Sequence, residues 1–275
     1  MSGLFFSFEP IPNTMLLMLT MMTASQFFFY LLLLVLGLDV LAGLGIGTLF
    51  FLKSSGDRRS NACYGLLLIV FGLTLLHNIC IMSGVFERWP QLYFLPIYYT
   101  LAFPPLLFWY VKLGLYPNYV LRWSDIKHFL LPAGQLLFFM LLFFMPVEFK
   151  SHYGRRFYNP FFGAFEQLIY LSTFFAYLYF AARYVRQKRR HVPDRQALKQ
   201  VFYMRTLVRV LFVLFCIHIV LVITDFVSFE LLNINLRSVK PYAALGALSF
   251  AALLLWLCIY GFQVLLWGRR IFGKT

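Results

Sequence analysis

The sequence predicts an all-α bundle of seven transmembrane helices, N-terminus outside and C-terminus cytoplasmic. Three observations predict it. Hydrophobic residues make up 61% of the chain and charged residues only 12%, against ~45–50% and ~25% in soluble domains, and the mean hydropathy is +0.77. Apolar runs of about 20 residues, enough to cross ~30 Å of hydrocarbon, recur along the chain. Finally, most of the basic residues fall in alternate connections, as cytoplasmic loops require.

Met1–Gln26 contains no Lys or Arg, so it lacks the basic region of a secretory signal. Its apolar run Met15–Ala24 is too short to span and follows Pro10 and Pro12. Residues 1–26 are therefore expected to be an interfacial or re-entrant lead-in, with one continuous long first helix as the alternative. Residues 27–275 form the seven-helix domain. The first span is Phe27–Leu52, with Gly43 and Gly47 in a small-x-x-x-small spacing that lets another helix approach closely. Packing within the chain explains that spacing better than dimerisation. The basic loop Lys53–Ser60 leads to a second span, Ala62–Gly84. A third is expected at Leu92–Val111, bent at Pro104-Pro105, because proline removes a backbone donor and kinks a helix. Lys112–Lys127 is polar and aromatic, and its later half suits a short helix on the membrane surface. Spans at Phe129–Val147, Phe161–Ala182, Leu207–Phe226 and Tyr242–Leu266 complete the set.

The stretch Arg183–Arg209 orients the whole. It carries nine Lys and Arg against one acid, Asp194. With Lys53, Arg58, Arg59, Lys112, Arg122, Lys127, Arg269, Arg270 and Lys274 it makes 18 of the 24 basic residues cytoplasmic, and Arg88, Lys150, Arg155, Arg156, Arg237 and Lys240 remain outside. Lys and Arg stay cytoplasmic because moving them against the membrane potential is unfavourable. The net charge of +14 is thus explained by topology and membrane lipids, with no nucleic-acid partner. Within this stretch Arg186, Lys188, Arg189, Arg190 and Arg195 are the candidate docking residues for a protein partner.

Ionisable groups near the bilayer centre cost ~2.5–3.5 kcal/mol each on insertion scales, so Asp39, His77, Asn78, Glu166, His218 and Asp225 are the candidate ligand or partner pocket. All fall in the middle or outer half of their spans, which suggests a polar cavity open to the outside. Interhelical hydrogen bonding is the plainer explanation. His77, His218, Asp225 and Glu166 could supply metal ligands, but no H-x-x-x-H or H-E-x-x-H spacing places two on one face; no metal and no cofactor are expected. The four cysteines lie in apolar segments without C-x-x-C spacing and read as core residues. A nucleophile elbow, a P-loop and a lysine in the seventh span are absent.

From Gly43 to Phe129 the glycine-containing first helix, KSSGDRRSNACYGLLLIVFGLTLLH, SGVFERWPQLYFLP, AFPPLLFWYVK and RWSDIKHFLLP follow one another. This order, above all Pro105, Leu106, Leu107 and Tyr110 and then Asp125, Ile126, His128 and Phe129, resembles the membrane-embedded sensor half of AraC-type transcriptional regulators of the Bacteroidetes kind. In those regulators a DNA-binding domain follows the last membrane helix, where this sequence carries GRRIFGKT. The resemblance implies a membrane fold and a sensing ancestry, without DNA binding. The expected function is a non-catalytic sensor or accessory subunit of the bacterial inner membrane that acts through a protein partner. The alternatives are a metal-dependent lipid hydrolase built on His77, His218, Asp225 and Glu166, and a proton- or ion-coupled transporter subunit using Asp39, Glu166 and His218.

Overall fold

The computed structural model of the chain describes residues 13–153, 163–190, 195–236 and 239–272, and all regular structure among them is helical. The helices are α1 (Asn13–Leu52), α2 (Arg58–Met82), α3 (Val85–Arg88), α4 (Phe103–Leu115), α5 (Leu130–Phe143), α6 (Val147–Tyr153), α7 (Gly163–Arg190), α8 (Arg195–Leu232) and α9 (Lys240–Phe272). Six stretches are long and apolar enough to cross a membrane: Ala24–Leu52, Arg58–Met82, Trp123–Phe143, Phe165–Arg190, Leu198–Phe229 and Pro241–Gly268. This is a multi-pass membrane protein.

The chain divides into two compact units, residues 1–35 and residues 36–275. The described part of the first is the N-terminal portion of α1, which is one uninterrupted helix from Asn13. Everything below concerns the second unit.

The expected helix Leu92–Val111 is not formed. Its helical part, α4, begins only at Phe103 and runs 13 residues, about 20 Å at 1.5 Å per residue, which is short of ~30 Å of hydrocarbon. Pro104 and Pro105 sit in its first turn, where no backbone donor is required. They start the helix instead of bending it. Upstream, Gly84 and Phe94 take positive φ (71° and 61°), and the chain passes through α3 and 3-10 turns at Pro90–Leu92 and Thr100–Ala102. Pro90 and Pro96 push the residues before them out of helical geometry, which accounts for the break.

All of α4 is buried except Gly114, in keeping with a segment that is apolar all round. It packs against α2 and α7, while α8 packs against α7 and α9. At its C-terminal end the Arg59 side chain donates to the carbonyls of Pro117 (2.6 Å) and Tyr119 (2.9 Å), and Ser60 Oγ donates to Tyr110 O (2.8 Å). Thus α4 returns the chain to the end at which α2 began. By contrast α5 is peripheral, burying only Gln135 and Phe139.

Close approach of α1 and α2 depends on glycine. A Cβ on Gly47 would meet Gly65 O at 2.9 Å, and one on Gly65 would meet Gly47 O at 2.7 Å; Gly43 lies against Leu254 of α9 and Leu68. The Gly43/Gly47 spacing therefore serves packing within the chain. Below it, Phe50, Tyr64, Tyr110 and Tyr260 pack ring on ring, and Tyr64 Oη donates to Leu257 O at 2.7 Å.

The basic stretch is largely helical and not a loop. α7 continues to Arg190 and α8 resumes at Arg195; Asp194 and the rest of 191–194 lie outside the described residues. Lysine and arginine on the last turn of α7 complement its dipole, and α8, at 38 residues or about 57 Å, far exceeds the hydrocarbon thickness.

Candidate functional site

The break before α4 leaves backbone groups that a helix would have satisfied internally, and irregular backbone at membrane depth persists only where protein groups satisfy it. Polar side chains supply that here. Thr74 Oγ1 accepts the Tyr99 N–H (3.0 Å) and donates to Val70 O (2.8 Å). Gln135 Oε1 accepts the Leu101 N–H (3.0 Å), and Gln135 Nε2 donates to Thr100 Oγ1 (3.1 Å) and to the Glu166 carboxylate. Gln167 Nε2 donates to Tyr98 Oη (3.1 Å). Lys150, which sequence placed merely outside the membrane, is buried and donates to the carbonyls of Gln91 (2.8 Å) and Phe143 (3.0 Å); desolvation lowers its pKa. One buried glutamine thus ties α5, the turn before α4 and α7 together.

The six predicted pocket residues divide around this scaffold. Glu166 joins it through Gln135, and the His77 ring lies between Phe86 and Tyr98, tilted against each, with centroids 5.1 Å away. Its buried Nδ1 has no hydrogen-bond partner, and the neighbouring Asn78 is half-buried. His218 stands elsewhere, its Nδ1 2.9 Å from Ser249 Oγ. Since Ser249 Oγ donates to Gly246 O (2.7 Å), the imidazole is the donor in that pair and carries its proton on Nδ1. Asp225 is buried two turns further along α8. Asp39 is buried within electrostatic reach of Cys258 on α9, and neither carboxylate oxygen has a hydrogen-bond partner. Glu166, His77, His218 and Asp39 thus each have their own described neighbours: Gln135, the Phe86 and Tyr98 rings, Ser249 and Cys258. Among the described residues no three of His, Cys, Asp and Glu converge as a metal would require, so His77, His218, Asp225 and Glu166 do not form the quartet that a metallohydrolase needs.

The opposite end carries the charge and a cleft of about 90 Å³, lined by Lys53, Ser60, Asn61, Gly114, Gln200 and Met204 among others. Lys53 Nζ donates to Asn61 Oδ1 (3.1 Å), and burial pulls its pKa down to about 8. Asp57 caps α2 by accepting the N–H groups of Arg59 (2.7 Å) and Ser60 (3.1 Å) and pairs with the Arg59 guanidinium at 3.0 Å. Partial burial would raise the Asp57 pKa, and these hydrogen bonds outweigh it, holding the group below the usual carboxylate range. Lys112 is enclosed by aromatic rings, with Nζ 3.8 Å from the Tyr119 centroid and 4.5 Å from that of Trp109, a cation–π cage that lets a charged group be buried.

Of the predicted docking residues, Arg186, Arg189 and Arg190 are exposed on the end of α7. Lys188 Nζ lies 4.7 Å from the Tyr116 ring, and the Arg195 side chain lies outside the described residues. Across the hairpin, Arg205 of α8 is within electrostatic range of Arg209, Arg189 and Arg186. Sequence reasoning missed Gln135, Thr74 and this pairing of Arg205 with the α7 arginines. A lone glutamine in LLPAGQLLFFMLLFF was the one available signal.

No known family, characterised protein or solved structure matches this chain. Fold and site together define a multi-pass helical membrane protein with a polar clasp around a broken helix at one end and a basic helical hairpin at the other.

Proposed function

We propose that the protein is a non-catalytic sensor or accessory subunit of a bacterial inner membrane that acts through a protein partner docked on the basic hairpin tip. The observation that carries this reading is Arg190, exposed at the very end of α7, for which no carboxylate partner occurs among the described residues. Arg195 opens α8 on the other side of the same connection. Such a surface suits an acidic partner segment, since complementary charge speeds encounter and fixes register. The orientation follows the positive-inside rule, with the basic end cytoplasmic and the N-terminus outside. Seven crossings then require α4 with the segment before it to carry the chain through the membrane. The return of α4 to the Arg59 end supports this. The resemblance to the sensor half of AraC-type regulators points the same way.

Charge reversal at the tip, Arg190→Glu with Arg195→Glu, tests the reading in mild-detergent purification from the native host. The unaltered chain is expected to retain a stoichiometric protein, and the variant to lose it while remaining monodisperse. A chain that purifies alone, or a partner held equally by the variant, overturns docking at the tip.

A further inference from the structure

Beyond the tip, Arg186, Arg189, Arg205 and Arg209 have an occupant of different chemistry. We propose that they hold the phosphate of an anionic phospholipid, whose acyl chains lie along Phe175 and Phe212. Helix register puts these groups on one stripe. On α8, Phe202, Arg205, Arg209 and Phe212 recur at spacings of three and four, and on α7, Phe175 and Arg186 lie 11 residues, three turns, apart, with Arg189 one turn beyond. The two helices pack against each other along a seam. The rings of Phe175 and Phe212 touch across it, centroids 5.8 Å apart, and are 48% and 39% exposed. An exposed aromatic pair is therefore followed toward the basic end by guanidinium groups, one to two turns on along α8 and three to four turns on along α7.

The four arginines crowd like charges on both sides of the seam. Among the described residues none of them has a hydrogen bond or ion pair, and like charges one turn apart repel. An anion relieves that repulsion. Guanidinium forks match phosphate oxygens two at a time, which an ammonium cannot do. Below Arg209, α8 runs 20 residues from Val210 to Phe229, about 30 Å, so the quartet sits where headgroup phosphates lie when that segment spans the hydrocarbon. An acidic peptide would satisfy the charge but would leave Phe175 and Phe212 uncovered, whereas a phospholipid covers both. The surface charge of the bilayer is thereby converted into a defined contact.

Native mass spectrometry of the full chain in mild detergent, titrated with dioleoyl phosphatidylglycerol or dioleoyl phosphatidylcholine, tests this. Phosphatidylglycerol is expected to be retained with about tenfold preference. Arg205→Gln with Arg209→Gln should abolish the preference, the corresponding lysine pair should keep only part of it, and Arg190→Gln with Arg195→Gln at the tip should leave it intact. Equal retention of the two lipids overturns the proposal, as does equal loss in the tip variant. Inorganic phosphate or an acidic peptide displacing the lipid at matched concentration would overturn it as well. Because the docking test alters the tip and this one the quartet, either reading can fail without the other.

Discussion

Gly65→Leu is expected to prevent recovery of a folded, monodisperse protein. The first side-chain atom at this position would meet Gly47 O at 2.7 Å, with Phe50 Cβ and Phe51 Cε2 both at 3.1 Å. The nearest of these is backbone, which cannot rotate away, so α1 and α2 must separate. Separation exposes no new surface to water, but it removes the dispersion contacts that hold membrane helices together where no hydrophobic driving force acts between them. Overpacking costs typically about 1–3 kcal/mol, and a backbone clash lies at the top of that range. Gly45→Leu on the same helix, where nothing lies within 4 Å of the added Cβ, should be tolerated. Size-exclusion profiles in mild detergent decide it. A Gly65→Leu protein as monodisperse as Gly45→Leu would show that this contact does not hold the bundle.

Gln135→Leu is expected to loosen α5 and the segment before α4 together. The substitution leaves the Leu101 N–H without its acceptor and removes the Thr100 and Glu166 bonds. Orphaning a buried polar group costs about 1–3 kcal/mol, and three bonds are lost at once. Since α5 buries only one other residue, Phe139, little else anchors it. Heating in detergent should show an earlier loss of soluble protein, and limited proteolysis should newly cut near Thr100. Leu137→Ala, on the exposed side of α5 (60% exposed), should change neither. Equal stability of Gln135→Leu and Leu137→Ala would remove the clasp from the account.

Much of this fold was legible because its strongest signals are local. Six apolar stretches long enough to span could be read directly, and the Gly43/Gly47 spacing announced a close helix contact whose partner, Gly65, sits opposite. The Leu92–Val111 segment misled because hydropathy does not distinguish a helix from irregular backbone at the same depth. The turn-forming proline at 96 was present, but the pair at 104 and 105 dominated the reading as a kink. The candidate pocket was legible as a set of buried polar residues and not as an arrangement. Asp39, His218 and Asp225 are indeed buried, yet what they meet depends on which helices lie beside them, which spacing along one helix cannot reveal. Gln135 and Thr74 escaped notice for the same reason, since each is defined by a backbone group 34 or 25 residues away. The basic stretch was read as one loop, whereas α7 and α8 carry most of it as helix, and only the pairing of α7 with α8 separates its tip from the arginine quartet.

On the proposed topology α4, with the broken segment before it, makes the seventh crossing and so puts the basic hairpin in the cytoplasm. Single cysteines at Glu87→Cys and Asn118→Cys, in exposed connections on either side of α4, test it with a membrane-impermeant maleimide applied to intact spheroplasts. The account predicts labelling at position 87 from outside and at position 118 only after permeabilisation. Labelling of both from the same side would contradict it, leaving α4 as a re-entrant segment and moving the hairpin to the other face.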